Sequence, residues 1–299
     1  MTQDRAAAPG GPVAPRLSVG VIGPGRAGAP LAAALARAGH PVVGAHAVSQ
    51  RSRRRVARFL PGVPIVDTAQ VMAEADLVLL TVPDDVLDDL VSGLAGTGTV
   101  TPGQFIVHAS GRYGVAVLEP VTQLGALPMA LHPVMTFTGG PADLDRLSGC
   151  PFGVTAPRVL RPVAEALVVE MGGDPMWVPE DARPLYHAAL ANGANHLVTL
   201  VAQTLDLLAG AGVERPAALV RPLLSAALDN VLEMGDEALT GPVARGDAGT
   251  VSAHLEALSR AAPEARAAYV AMARLTADRA LAAGRLDPAT AESLLDVLG

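Results

Sequence analysis

The sequence predicts an α/β protein in which a doubly wound parallel sheet is followed by an all-helical C-terminal domain. Three observations favour this fold class. Short apolar segments alternate with helical segments up to residue 155, a glycine-rich turn follows the first apolar segment, and only helical patterns follow Pro157. Such alternation at short spacing is typical of a parallel sheet with crossover helices. We expect a sheet domain at residues 16–156, a helical domain at 157–299 and a disordered tail at 1–15.

The predicted strands of the first domain are short and apolar. They lie at residues 17–22, 42–47, 63–66, 77–82, 105–108, 130–132 and 152–155. The helices predicted between them cover residues 31–38, 53–60, 69–75 and 85–94. The segment at 77–82 is apolar throughout, as expected for a strand that is covered by helices on both faces of the sheet.

The second domain is predicted to be helical throughout. Helical patterns cover residues 160–171, 185–209, 217–234, 251–258, 264–283 and 288–298. Residues 184–205 carry no formal charge, but their His, Asn and Gln side chains would be costly in lipid. We therefore expect this segment to be a buried helix of a helical domain, and we expect no membrane span.

The composition excludes several classes of function. The formal net charge of −7 argues against a nucleic-acid partner. Cys150 is the only cysteine, which excludes a disulfide framework and fits a reducing cytoplasm. All 22 basic residues are arginine, so Schiff-base chemistry and phosphate binding through a P-loop lysine are excluded. The seven histidines show no close metal-ligand spacing with acidic residues, so we expect no metal site.

The turn after the first strand has the pattern G-x-G-x-x-G. In this pattern the first glycine makes the tight turn, the second lets a pyrophosphate approach the backbone, and the third lets the helix pack on the strand. The phosphates then bind free N–H groups at the helix N-terminus. Because the turn follows an apolar strand and opens a helix, it predicts a Rossmann-type dinucleotide site rather than a structural turn alone. The predicted cofactor-binding residues are Gly23, Pro24, Gly25, Arg26, Ala27 and Gly28.

The segment after the second strand predicts which dinucleotide binds. An NAD site normally ends this strand with an acidic residue that binds the ribose 2′-hydroxyl, and no acidic residue occurs between Gly39 and Pro64. Hydroxyl and guanidinium groups suit a 2′-phosphate instead, so we predict NADP(H) rather than NAD. The candidate phosphate ligands are Ser49, Arg51 and Ser52. The alternative is a solvated basic helix start, to which Arg55 and Arg58 could belong.

Two further strand ends should border the same crevice, because ligands bind outside the carboxyl ends of parallel strands. Val82 and Pro83 end the fourth predicted strand, and Ser110 follows the fifth. We expect Val82 and Pro83 to contact the cofactor, although Pro83 could simply end its strand. Ser110 is included among the candidate catalytic residues.

Several runs of residues together carry a resemblance to a known family. They are the glycine turn, His108-x-Ser110-Gly111, Leu131-His132-Pro133 with Phe137, Tyr186-His187-Ala188-Ala189 with Asn195, and Thr240-Gly241-Pro242-x-x-Arg245-Gly246-Asp247 with His254. With them the sequence resembles, over residues 17–258, the bacterial Rossmann-like oxidoreductases that carry a C-terminal helical domain of unknown function. That family is similar to 2-dehydropantoate (ketopantoate) reductases, and more distantly to pyrroline-5-carboxylate reductases and 3-hydroxyacid dehydrogenases.

The resemblance implies a Rossmann domain followed by a C-terminal domain like that of 6-phosphogluconate dehydrogenase. It also implies hydride transfer between a nicotinamide and a small substrate bound between the domains. The ketopantoate and 3-hydroxyacid enzymes carry a catalytic lysine on the first long interdomain helix. Here His187 occupies that position, and Asn195 follows eight residues later. A chain without lysine needs another proton donor.

Histidine is a suitable replacement, because reducing a ketone leaves an alkoxide and an imidazolium can protonate it near neutral pH. His187 is the first candidate acid. His132, which ends a strand before the glycine-rich run Thr138-Gly139-Gly140, is the second. Asn195 could hold a substrate oxygen. The alternative for both His187 and Asn195 is a buried, hydrogen-bonded structural side chain.

The loop at residues 240–247 joins two predicted helices and is unusually specific for a loop. Arg245 could bind a substrate carboxylate through two parallel hydrogen bonds, and Asp247 could orient Arg245 or a histidine. The alternative is a structural Arg–Asp pair that fixes the loop. His254 could face this loop or lie on the surface.

The sequence therefore predicts a cytoplasmic, homodimeric NADPH-dependent reductase that acts on a small 2-oxo acid, with ketopantoate as the leading substrate. We expect the substrate to carry a carboxylate, and we expect neither nucleic acid nor membrane as a partner. Two alternatives remain open at this point. The first is an imine reductase of the pyrroline-5-carboxylate type, whose substrate has less need of an acid. The second is a non-catalytic sensor or regulator that binds NADP(H).

Overall fold

The computed structural model describes residues 16–299, so the tail predicted at residues 1–15 lies outside the described residues. The chain divides into two compact units, Met1–Ala191 and Asn192–Gly299. The described part of the first unit is built on a seven-stranded sheet with the order β2-β1-β3-β4-β5-β6-β7. The strands are β1 (Val19–Ile22), β2 (Val42–His46), β3 (Leu77–Leu80), β4 (Phe105–His108), β5 (Leu127–Pro133), β6 (Pro151–Thr155) and β7 (Asp174–Trp177).

Strands β1 to β5 are parallel, so their carboxyl ends meet at one edge of the sheet. β6 runs antiparallel to β5, and β7 runs parallel to β6. The alternation of side chains along β3 shows why these strands are apolar. Leu77 and Leu79 belong to one hydrophobic core, whereas Val78 and Leu80 belong to another. Because successive side chains point to opposite faces, both faces of the sheet are covered.

Helices connect the strands and form these two layers. In the first unit they are α1 (Gly28–Arg37), α2 (Gln50–Phe59), α3 (Thr68–Glu74), α4 (Asp84–Gly96), α5 (Glu119–Thr122), α6 (Ala142–Asp145) and α7 (Arg161–Glu170). Short 3-10 turns lie at Val115–Leu118 and Arg158–Leu160. α8 (Arg183–Gly210) begins in the first unit and continues into the second. The predicted fold class, a mainly parallel doubly wound sheet followed by a helical region, is confirmed.

The second unit is helical. Its further helices are α9 (Pro216–Met234), α10 (Gly241–Ala244), α11 (Ala248–Ala261), α12 (Pro263–Ala282) and α13 (Pro288–Leu298), with a 3-10 turn at Gly235–Ala238. The core of this unit is formed by buried side chains of α10 to α13, among them Val251, Leu255, Ala277 and Leu294. Among the described helices, none combines the length and the apolar composition that crossing a bilayer requires.

One prediction about the sheet domain is wrong. The strand predicted at residues 63–66 makes only an isolated bridge between Ala45 and Ile65, and Pro64 has no backbone N–H to donate to a neighbouring strand. The two compact units divide after Ala191, and the domain boundary near Ala156 stays a prediction. β7 and α7 belong to the sheet layers, and the first unit continues to Ala191. The pattern of β7 gave no strand signal because it is an edge strand with alternately exposed residues.

The predicted helix at residues 185–209 is confirmed as α8, but its predicted burial is wrong for the single chain. Only Arg183 is buried in this helix, because the core of the second unit forms among α10 to α13. Large exposed apolar side chains in α8 and α9 include Leu197, Val198, Leu200, Leu219, Leu223 and Leu232. A homodimer would cover such side chains, and it stays a prediction.

Candidate active site

The glycine turn connects β1 to α1 at the carboxyl edge of the sheet. Gly23 has a φ of 81°, a conformation that favours glycine, and its carbonyl accepts a hydrogen bond of 2.7 Å from Thr81 Oγ1. A Cβ on Gly28 would collide with Thr81 Oγ1 and would lie 2.8 Å from Thr81 Cβ. Glycine is therefore required at both positions by the fold of the protein. Gly23 has a positive φ, and Gly28 allows α1 to pack closely on the strand ends.

Gly25 differs from the other two glycines of the turn. It has no positive φ, and a Cβ placed on it would have Gly23 O at 3.7 Å as its nearest neighbour. The described part of the protein therefore does not require glycine here. A ligand that approaches the backbone would require it, as the pyrophosphate of a dinucleotide does. This free space at Gly25 is the observation that fits the turn to a dinucleotide.

Gly25 lines a pocket of about 430 Å³ at the carboxyl ends of β1, β2 and β3. Six of the predicted cofactor-binding residues line it, namely Gly23, Gly25, Ser49, Ser52, Val82 and Pro83. The others do not. Gly28 and Pro24 are buried, Ala27 is half-buried, and Arg26 and Arg51 are exposed. The lining includes no acidic side chain, and His46 ends β2 at the place where an NAD site usually has one.

The two serines of the pocket cap α2. Ser49 Oγ accepts a hydrogen bond from the backbone N–H of Ser52, and Ser52 Oγ accepts one from the backbone N–H of Ser49, each at 3.1 Å. This capping box leaves further N–H groups of the first turn free for an anion. Arg55 also lines the pocket, three residues after Ser52 and thus on the same face of the helix. The i, i+3 spacing could have favoured Arg55 over Arg51 as the candidate phosphate ligand.

A glycine-rich loop lies against Arg55. A Cβ on Gly139 would be 3.0 Å from Nε of Arg55 and 3.2 Å from Cγ of Arg26. The carboxylate of Asp143, which is buried, accepts hydrogen bonds from Thr138 Oγ1 at 2.9 Å and from the Gly139 N–H at 2.6 Å. These bonds fix the loop. The run Thr138-Gly139-Gly140 therefore borders the arginine at the cofactor pocket.

The loop after β4 is held by His108 and Ser110. Nδ1 of the buried His108 accepts the Ser110 N–H at 3.2 Å, so its Nε2–H donates to Gly114 O at 2.7 Å. Burial lowers the pKa of His108 to about 4, which keeps the ring neutral. Ser110 Oγ accepts the backbone N–H groups of Arg112 and Tyr113. The structure thus places Ser110, a candidate catalytic residue, in the role of fixing the turn.

Arg183, the first residue of α8, is completely buried. Its guanidinium group donates hydrogen bonds to Thr155 Oγ1 (2.8 Å), Ser110 O (3.2 Å), Ala130 O (3.2 Å) and Gly153 O (2.9 Å). All four acceptors are uncharged, and none of the ion pairs within residues 16–299 involves Arg183. Arg183 therefore anchors the start of α8 to β5, to β6 and to the loop after β4, and it leaves a positive charge beside them.

Tyr186 and His187 follow one helical turn after Arg183 and contact His132 near the carboxyl end of β5. The hydroxyl of Tyr186 and Nδ1 of His132 are 2.8 Å apart. The ring of His187 meets that of His132 edge-on, with 6.4 Å between their centroids. A Cβ on Gly111 would lie 2.8 Å from Cδ2 of His187 and 2.9 Å from Nε2 of His132. The glycine after Ser110 is therefore required where the two histidines converge.

The electrostatics of this cluster favour a neutral His132. Burial lowers the pKa of His132 to about 4, and the positive charge of Arg183 and the proximity of His187 act in the same direction. Burial raises the pKa of Tyr186, although the charge of Arg183 opposes this. Arg183 and Tyr186 are not among the site residues predicted from the sequence, although Tyr186 belongs to a run that carries the resemblance. Their i, i+3, i+4 spacing with His187 places all three on one helix face and could have indicated them.

The remaining candidates belong to the second unit. Asn195 is exposed on α8, and Arg245 is exposed at the end of α10. Asp247 caps α11, because its carboxylate accepts the Thr250 N–H at 3.0 Å and the Thr250 hydroxyl at 2.7 Å. Arg245 and Asp247 form no ion pair within the described chain. A Cβ on Gly246 would collide with Thr290, so much of the specificity of this loop is structural.

Comparison with protein families agrees with this architecture. Residues 1–133 match the model of a Rossmann-like domain, and residues 150–276 match DUF2520, a domain of unknown function. The chain thus matches a Rossmann-like domain followed by DUF2520, the order of domains that the resemblance implied.

A curated relative of known activity covers part of the chain. It is the glycerol-3-phosphate dehydrogenase [NAD(P)+] of Bradyrhizobium sp. (strain ORS 278), which is 31% identical over an alignment of 172 residues. The alignment covers 52% of this chain and 50% of that protein. The chain spans about half the length of the curated relatives it matches.

Solved structures extend the likeness over most of the chain. A Bacteroides fragilis protein, provisionally assigned as an NADP oxidoreductase, has a TM-score of 0.73 and 21% identity, and covers 88% of this chain and 98% of its own. An imine reductase from Pseudomonas sp. has a TM-score of 0.64 and 20% identity, and the likeness covers 95% of this chain and 100% of that protein. At these identities the likeness shows a shared fold.

The contrast between Gly25 and Gly28 can be tested with a matched pair of variants. We expect Gly25→Ala to change the free energy of unfolding by less than about 0.5 kcal/mol, but to weaken NADPH binding roughly tenfold or more, because only a ligand occupies that space. We expect Gly28→Ala to destabilise the protein by about 1–3 kcal/mol through its collision with Thr81. Urea unfolding and NADPH fluorescence titration measure the two effects. Unchanged NADPH binding by Gly25→Ala would contradict the placement of the pyrophosphate.

Proposed function

We propose that the protein is an NAD(P)H-dependent reductase of a small carbonyl substrate. One observation carries the proposal. The pocket at the glycine turn and the group formed by His132, Tyr186 and His187 lie at the same edge of one parallel sheet, within the first unit. Ligands of open α/β sheets bind outside the carboxyl ends of the strands. The match to an NAD(P)-dependent dehydrogenase over half of the chain supports the same class of chemistry.

The residues that would hold the dinucleotide are those that line the pocket at the glycine turn. The N–H groups at the start of α1 and the free space at Gly25 suit its pyrophosphate. When bound in its reduced form, the nicotinamide supplies a hydride. We further propose NADP(H) rather than NAD, because the pocket contains no carboxylate for a free 2′-hydroxyl and offers Arg55 and the N-terminus of α2 to a 2′-phosphate.

The electrostatics favour a carbonyl over an imine as the reducible group. A reduced ketone passes through an alkoxide, whereas a protonated imine is a cation. The buried charge of Arg183 and the neutral ring of His132 stabilise developing negative charge and disfavour a cation. A 2-oxo acid fits this environment. Ketopantoate is the first substrate to test, because the sequence resembles proteins similar to ketopantoate reductases.

A substrate panel tests the function. We expect saturable oxidation of NADPH with a 2-oxo acid, ketopantoate first, and slower turnover of pyrroline-5-carboxylate, because Arg183 disfavours the positive charge on its protonated imine nitrogen. Absorbance at 340 nm is followed for each compound, and glycerol 3-phosphate with NADP+ tests the reaction named for the curated relatives. Preference for the imine would contradict the electrostatic argument. Tight NADPH binding without turnover of any compound would favour a sensor.

The cofactor preference is tested at α2. We expect Arg55→Ala to weaken NADPH binding roughly 10-fold to 100-fold and to leave NADH binding unchanged, because a charge-assisted hydrogen bond to the 2′-phosphate is lost. Arg58→Ala, on the same helix but away from the pocket lining, is the control. Fluorescence titration gives the dissociation constants of each variant for NADPH and for NADH. If Arg51→Ala reproduces the loss and Arg55→Ala does not, the phosphate ligand is the one that the sequence analysis favoured.

A further inference from the structure

We propose that His132 donates the proton that completes the reduction and that Tyr186 resupplies it through their hydrogen bond. This inference rests on the proposed function and assigns the proton donor that a chain without lysine needs. It differs from the sequence analysis, which favoured His187. The geometry of the cluster carries the argument.

The direction of the Tyr186–His132 hydrogen bond follows from the available partners. The hydroxyl of Tyr186 lies 2.8 Å from Nδ1 of His132 and has no other hydrogen-bond partner among the described residues. We assign the hydroxyl as the donor, because Nδ1 is the one acceptor that it has among the described residues. The proton of the neutral ring is then on Nε2. Nε2 makes no hydrogen bond within residues 16–299 and faces the space left by Gly111.

The proton moves in two steps. After hydride from the reduced nicotinamide has reached the carbonyl carbon, the alkoxide oxygen takes the proton from Nε2 of His132. Nδ1 takes the proton from the hydroxyl of Tyr186, so the imidazole stays neutral throughout. The products are the alcohol, the oxidised nicotinamide and a tyrosinate beside a ring protonated on Nδ1. A solvent proton then binds Nε2, and the Nδ1 proton returns to Tyr186, which restores the starting state.

Arg183 makes the relay possible as a positioning residue. Its guanidinium carbon lies 5.6 Å from the centre of the Tyr186 ring, close enough to stabilise the tyrosinate. It also anchors the helical turn that carries Tyr186. The hydroxyl packs so closely over Gly153 that a Cβ there would collide with it. Strand and helix together hold the hydroxyl in place against His132.

The charged and titratable groups around the pair support a neutral His132. Those that influence its pKa are Arg183 and His187 on α8, His108 on β4 and Asp84 at the start of α4. For Tyr186 they are Arg183 and Cys150. Asp84 acts in the opposite direction to Arg183, but the net result is a ring that stays uncharged above about pH 4. An imidazolium is therefore not the proton source at neutral pH, whereas the neutral relay is available there.

The second unit contains a histidine–tyrosine pair with the same geometry, which serves as a control. Nδ1 of His254 and the hydroxyl of Tyr269 are 2.9 Å apart, and their rings meet at 89° with centroids separated by 5.8 Å. The corresponding values for His132 and Tyr186 are 2.8 Å, 87° and 5.7 Å. Tyr186→Phe and Tyr269→Phe thus remove the same hydroxyl from the same geometry, and only the first changes a residue of the group at the end of β5.

The first experiment compares the kinetics of these two variants with the best substrate of the panel. We expect Tyr186→Phe to lower kcat roughly 100-fold, as the loss of a general acid does, with NADPH binding unchanged. We expect Tyr269→Phe to keep the wild-type kcat. A Tyr186→Phe protein with wild-type kcat overturns the relay and leaves the proposed function intact. A wild-type protein that turns over nothing overturns both.

The pH dependence separates the relay from an imidazolium donor. In the relay, kcat stays level from about pH 6 to pH 9, since His132 remains neutral and Tyr186 remains protonated. A histidine acid with an ordinary pKa would make kcat fall tenfold per pH unit above about 6.5. A profile of the second kind overturns the proposal and favours His187.

Nitrogen-15 NMR gives a readout that does not need turnover. We expect wild-type His132 to carry its proton on Nε2, with Nδ1 as an acceptor, and we expect Tyr186→Phe to change the Nδ1 shift. A proton on Nδ1 of His132 in the wild-type protein would overturn the relay.

Discussion

The site depends on one buried cation. Arg183 donates four hydrogen bonds to uncharged oxygens from β5, β6 and the loop after β4, and no carboxylate within the described residues forms an ion pair with it. Burying a charge without a counter-ion is costly unless its hydrogen bonds are satisfied. Those bonds fix the first turn of α8, so Tyr186 and His187 are placed against His132. The same charge lowers the pKa of His132, in the same direction as burial does.

The two halves of the proposed site use the backbone in different ways. At the glycine turn, Gly23 and Gly28 are required by the protein, whereas Gly25 leaves space for a ligand. At the end of β5, Gly111 and Gly153 are required because aromatic side chains lie directly on their α-carbons. Both arrangements lie along one carboxyl edge, where a parallel sheet brings strand ends together. The order of the strands therefore places the pocket at the glycine turn and the proposed proton donor along the same edge of the sheet.

Much of the fold could be predicted because its signals are local. The apolar strands, the glycine turn and the helices of the second unit follow from periodicity, and β4 and α13 were predicted to the residue. β7 could not be predicted, because an edge strand has no buried apolar run. Arg183 shows why part of the site could not be predicted from the sequence. Its role comes from one hydroxyl and three carbonyls of residues between 28 and 73 positions away, which no local pattern contains. Arg245 and Asp247 show the reverse case, since a specific motif in the sequence proved to include a helix cap.

The most direct test of this account is a crystal structure of the protein with NADPH and the alcohol product of its best substrate, a pair between which no hydride can be transferred. The account predicts that the pyrophosphate lies over Gly25 and that the product oxygen lies about 2.6–3.2 Å from Nε2 of His132, while Nδ1 keeps its bond to Tyr186. A product oxygen that contacts His187 or residues of the second unit, with Nε2 of His132 left without a ligand, would contradict it.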